Sequence, residues 1–160
     1  MTACDSSSED TARWQKSFAS KANNRAWALA EQQSRTADED EEMLQAAHAS
    51  AHLWKSIGTA RNGALASLLL AHVYALLKLP NPARHYLTRA AAFFSSESPE
   101  PWEAAFLHAI GANVAHAAGD EKTHRERYAL ADAAIRNLGD PEDRKILTST
   151  FDVIAKPDPI

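Results

Sequence analysis

Ala115 to Ala131 reads AHAAGDEKTHRERYALA: an alanine-rich helix that ends at Gly119-Asp120, then a second helix with His124, Tyr128 and Ala131 in line. Small and apolar residues three and four apart on both sides of a Gly-Asp corner predict two helices folded back as an antiparallel hairpin. The same layout stands upstream, where Ala71 and Tyr74 precede Asn81-Pro82 and Ala83, Leu87 and Ala90 follow it. One such hairpin cannot bury its apolar face alone, so repeated hairpins imply a stack. Stacks of this kind bind partners more often than they transform substrates.

Composition agrees with an all-α chain. Roughly one residue in five is Ala and only 5 are Gly, while Val, Ile and Thr are too thinly spread for strands. With 45% apolar and 24% charged residues over 160 positions, one domain with its own core is expected. The formal charge of −4, with no basic stripe, argues against nucleic acid or an anionic membrane as partner. Cys4 is the only cysteine, which excludes a disulfide framework and fits a reducing cytoplasm. The start, MTACDSSSED, lacks the features of a signal peptide, and the apolar run from Ala64 to Leu79 is too short to span a bilayer.

The chain divides into a disordered leader (residues 1–8), one helical domain (9–154) and a loose tail (155–160). Seven antiparallel helices are expected: three hairpins and a C-terminal capping helix, an α-solenoid-like arrangement. The first helix is placed from Glu9 to Gln33. The second follows a capping box formed by Thr36 and Glu39, with Asp38 to Glu42 in its first turn and Gly58 as a left-handed stop. The third spans Ala60 to Leu79. Asn81 caps the fourth with Pro82 at its first position, and Ser98-Pro99 opens the fifth by the same device. The sixth runs from Glu121 to Leu138. Gly139-Asp140-Pro141 then provides a stop, a cap and a start, and the seventh continues to Ile154.

The corner and stripe pattern resembles the tetratricopeptide repeat. Tyr74 and Ala115 fall on the large position late in the first helix, Ala83 and His124 on the small position of the second. Leu87 and Tyr128 fall on its aromatic position, Ala90 and Ala131 on the next small one, and Gly119-Asp120 on the interhelical Gly-Asp. From Arg25 to Ile154 the chain is also similar to a group of small uncharacterised bacterial proteins with such repeats, through EEMLQAAHASAHLW, HVYALL and AAGDEKTHRERYALADAAI. The resemblance implies the fold and a bacterial origin and brings no catalytic residues.

In that register the first helix of each pair lines a concave face, presenting Leu65, Leu68, Leu69, His72 and Leu76 from one hairpin and Phe106, Ile110, Asn113 and His116 from the next. An apolar groove with a small polar group made by His72, Asn113 and His116 suits a peptide or amphipathic helix. Against this stands a curl that closes on itself, with helix seven or a second subunit over the same face. His48 and His52, four apart, have metal-ligand spacing and would need a third ligand from His72, His85 or His108. With no HExxH and no cysteine pair, packed hydrogen-bonding histidines are the expectation. Asp38 to Glu42 is read as a helix start and Trp27, Trp54 and Trp102 as core. No nucleophile elbow, phosphate loop or acid-base pair is recognisable, so no cofactor and no enzymatic activity are expected. The expected role is a non-enzymatic cytoplasmic module that binds a protein or peptide, or else a metal- or small-molecule-binding protein built on His48 and His52. A structural homodimer joined through the face of helix three is the remaining expectation.

Overall fold

A computed structural model describes residues 3–159, and among them every regular element is an α-helix. The elements are α1 (Ala3–Ala30), α2 (Ala37–Ile57), α3 (Ala60–Leu76), α4 (Pro80–Ser96), α5 (Pro101–Ala117), α6 (Glu121–Arg136) and α7 (Pro141–Phe151). α1 pairs with α2, α3 with α4 and α5 with α6, and α7 packs on α5 and α6. The first helices of successive pairs also touch, α1 on α3 and α3 on α5, so α1, α3, α5 and α7 form one layer and α2, α4 and α6 the other.

Local sequence explains most of the boundaries. The Thr36 hydroxyl accepts from the Glu39 amide at 3.2 Å while the Thr36 amide donates to the Glu39 carboxylate at 2.8 Å, a complete capping box. Asp120 accepts from the Thr123 amide, and Asp140 from the Glu142 amide, with Pro141 next. Gly119 has φ +71, and the amides of Gly119 and Asp120 donate back to the His116 and Ala115 carbonyls. That is the hydrogen-bond pattern of a helix closed by a left-handed residue.

Several expected boundaries move. α1 begins at Ala3, so residues 3–8 of the expected disordered leader are helical; Met1 and Thr2 lie outside the described residues. The chain has no Gly before Gly58 and no Pro before Pro80, so nothing interrupts the helix there. α1 stops at Ala30 rather than Gln33, where the Arg35 guanidinium donates to the Leu29 and Gln32 carbonyls. Gly58 ends α2 in extended backbone (φ −92, ψ −179), not in the left-handed region. Glycine is needed for space instead: a Cβ would sit 2.7 Å from the Trp54 carbonyl oxygen.

Asn81 does not cap α4. Lys78 takes φ 58 and closes α3, with the Lys78 and Leu79 amides donating to the Ala75 and Tyr74 carbonyls. Leu79 then becomes the cap and Pro80 the first helical residue. Likewise Pro101, not Pro99, starts α5, because the Glu103 carboxylate accepts from the Glu100 amide at 2.8 Å. α7 ends at Phe151 rather than Ile154, and the tail does not hang free throughout: the His124 Nε2–H donates to the Ala155 carbonyl at 2.8 Å.

Two apolar clusters fill the stack. One, from α3 to α7, contains Leu68, Phe94, Phe106, Ile110, Leu147 and Phe151; the other joins α1, α2 and α3 through Leu29, Met43, Leu69, Leu70 and Val73. Trp27, Tyr74 and Tyr86 pack against both and make the core continuous. At about 25 cal/mol per Å2 of apolar surface, such burial is the main favourable term in folding. One ion pair crosses the layer within it: Arg61 of α3 meets the fully buried Glu103 of α5.

Candidate functional site

The layer of α1, α3, α5 and α7 curls until its ends meet. Gln33, just beyond α1, donates to the Asp152 carbonyl at the end of α7 at 3.4 Å. Trp27 of α1 fills the space inside the curl, its ring 5.7 Å from His72 and 5.3 Å from Phe106. The expected groove is therefore covered over most of its length. Leu69, His72 and Ile110 are fully buried, Asn113 nearly so, and Leu76 packs half-buried against the α1–α3 cluster.

His72 and Asn113 occupy matching positions of α3 and α5 and do meet, the Asn113 amide donating to the His72 Nδ1 at 3.1 Å. With Nδ1 an acceptor, the proton resides on Nε2, which has no partner among the described residues. Burial, and secondarily the positive charge of Arg35, push the His72 pKa down to about 3. It is a neutral core histidine at any physiological pH. His116 does not join the pair. It is exposed at the far end of α5, 4.9 Å from the His124 ring, beside Lys156 and Asp158.

One end of the curl stays open. Between α1 and α7 lies a cleft of about 360 Å3 floored by Leu65, Leu68 and Phe106. Trp27, Trp102 and Ile146 form its apolar walls, and Asn23, Asn24 and Glu31 supply polar atoms along α1. Burial raises the Glu31 pKa above the usual carboxylate value. Ile146 is 52% exposed, and Trp27, Trp102 and Leu65 are half-buried. Of the expected groove residues, Leu65, Leu68 and Phe106 line this cleft, and His116 lines a separate recess beside Lys156 and Asp158. The sequence assigned Trp27 and Trp102 to the core and did not single out Asn23, Glu31 or Ile146. Ile146 was in principle visible, since it stands one residue off the stripe of Leu147, Phe151 and Ile154.

His48 and His52 line a different cavity, of about 550 Å3, between α2, α3 and α4. The His48 Nε2 lies 2.7 Å from the Tyr74 hydroxyl, and its ring stands edge-on to Tyr74 and Tyr86. The suggested third ligands lie elsewhere. His72 is in the core, His85 sits edge-on to Tyr86 on the exposed side of α4, and the His108 Nδ1 faces the Arg127 guanidinium at 3.1 Å. Among the described residues no three His, Cys, Asp or Glu side chains could hold one metal ion. The acidic run is engaged locally: Asp40 with Arg35 and Glu42 with Arg25, both at 2.6 Å, and Glu41 with Gln45.

No helix among the described residues is long and apolar enough to cross a membrane. Compared with known proteins, the chain matches no family model, no curated protein and no solved structure.

Proposed function

We propose that the chain is a non-enzymatic, cytoplasmic interaction module that takes an apolar segment of another protein into the cleft between α1 and α7. The observation that carries this reading is the cleft itself: a recess with a buried Leu68–Phe106 floor, two tryptophans and the exposed Ile146 at its rim. Aromatic walls around a desolvated floor are what interface anchors pack into. The volume suits a few apolar side chains projecting from one face of a helix, and the Asn23 and Asn24 amides stand ready for backbone groups beside them. Three hairpins in two helical layers, in which Leu65, His72 and Tyr74 stand at the positions of Phe106, Asn113 and Ala115, support a tetratricopeptide-like reading of the scaffold.

Selection of a displayed peptide library on the protein tests this. Recovered peptides should carry bulky apolar residues three or four apart and lose about tenfold in affinity, or roughly 1.4 kcal/mol, on Ile146→Asp. Ile146 is exposed enough for the change to spare the fold. Peptides that bind Ile146→Asp and Leu65→Gln variants as well as the parent would refute the reading.

A second reading, self-association, is favoured by Trp14 and Phe18, which stack on one face of α1 at 55% and 52% exposure. It does not use the α3 face expected for a homodimer, because Leu69 is buried within one chain. Sedimentation of Trp14→Lys beside the parent decides it: equal masses dispose of the idea.

A further inference from the structure

We propose that the cavity between α2, α3 and α4 is a binding site for a small organic anion, a carboxylate or phosphate carried on an aromatic body. This site is separate from the α1–α7 cleft and does not depend on it. Three helices each contribute one face. α2 presents His48, His52 and Lys55, and α4 presents Tyr86, Arg89 and Phe93. α3 contributes Ala60, Gly63, Ala64 and Ser67, all small, and this spacing of small residues keeps the floor low. The cavity volume of about 550 Å3 lies within the range of small-molecule sites.

Its charge is one-sided. The whole chain carries 21 acidic and 17 basic residues, yet the lining includes Lys55 and Arg89 and no Asp or Glu. Neither cation has a carboxylate partner among the described residues, so both are open to an anion. Thr59 and Ala60, at the start of α3, also line the cavity, which puts the positive end of a 17-residue helix beside it, although the Thr59 hydroxyl already accepts from the Asn62 amide. An unpaired guanidinium is suited to a bidentate grip on a carboxylate or phosphate.

The α4 wall, which also carries Arg89, selects the body. Tyr86 stacks on Tyr74 at 5.8 Å with the rings 5° apart, and the Tyr74 hydroxyl is engaged by His48, so this aromatic wall is held in place. Phe93 continues it along α4, with Arg61 over its ring but engaged by Glu103. A flat apolar group against Tyr86 and Phe93, with its anionic end toward Arg89 of α4 and Lys55 of α2, uses both the aromatic and the basic residues of the lining.

Gly63 makes the test clean. A Cβ there meets nothing within 4 Å, so a larger side chain enters the cavity rather than the core. In an NMR titration of the full chain, phenyl phosphate should shift the amide signals of Lys55, Gly63 and Ser67. Gly63→Leu should abolish those shifts while raising or preserving the melting temperature, since glycine is the poorer helix former. Arg89→Gln should weaken binding about tenfold or more. The inference is overturned if phenyl phosphate leaves these signals unmoved, or if binding survives both substitutions. Benzyl alcohol binding as tightly would refute the anionic assignment, and inorganic phosphate binding as tightly would refute the aromatic one.

Discussion

Acid should destabilise this protein through His72. The folded-state pKa is pushed down to about 3 from an ordinary 6.5, chiefly by complete burial. Below pH 6.5 the unfolded chain therefore takes up a proton that the folded chain refuses. Stability held above that pH is lost as pH falls, at about 1.4 kcal/mol per unit. Between pH 8 and pH 5 the loss from this one group is about 2 kcal/mol, growing to about 4 kcal/mol at pH 3. Urea unfolding followed by circular dichroism at successive pH values measures the slope. The informative comparison is the double variant His72→Leu with Asn113→Leu, which removes both polar partners together and leaves no orphaned amide. Contributions common to both proteins, such as that of His108 with its lowered pKa, cancel in the difference. The parent should lose about 2 kcal/mol more than the double variant between pH 8 and pH 5. Equal slopes would refute a buried, neutral His72.

The two left-handed closures offer opposite tests: Lys78→Gly should stabilise by about 0.5–1 kcal/mol and Gly119→Ala should destabilise by about 1–2, read from urea midpoints. A Lys78→Gly variant no more stable than the parent would contradict the φ of 58. Gly58→Ala should cost stability without any positive φ, because its Cβ would press on the Trp54 carbonyl; a neutral effect would mean that α2 ends otherwise. Thr36→Ala should cost about 1 kcal/mol by releasing the capping box, and an unchanged melting temperature would dismiss that cap.

Helices and hairpins were legible because their signals are local. Thr36 with Glu39, Asp120 after Gly119, and Asp140 with Pro141 each satisfy amides within a few residues of themselves, so their chemistry is written in adjacent letters. The corners that were misplaced carry two competing signals. Pro80 and Pro82 both suit the start of α4, and the choice falls to Lys78, whose left-handed backbone no residue type announces. Pro99 and Pro101 pose the same choice, settled by the Glu103 carboxylate reaching back to Glu100. Sequence periodicity also marks a face of Leu69, Ile110 and Phe106 as apolar, and the structure buries Leu69 with Leu29 and Met43 and the other two in the α3–α7 cluster. It does not say whether that face is open, because closure depends on the curvature summed over α1, α3, α5 and α7.

That curvature governs where a ligand can bind. Each pair adds a rotation, and by α7 the layer has returned to α1 with Trp27 inside, so the inner face becomes core instead of groove. Polar residues that would otherwise face a peptide, His72 and Asn113, satisfy each other across α3 and α5. Open space then survives only where side chains fall short of filling the gap between helices. On the inner side this is the mouth near Leu65, where Ile146 and Thr150 of α7 line the cleft opposite α1. On the other side it is the floor of Ala60, Gly63, Ala64 and Ser67, too small to fill the angle between α2 and α4. A larger residue at Gly63 would cost no packing and would gain helix propensity, so glycine there sacrifices local stability for room.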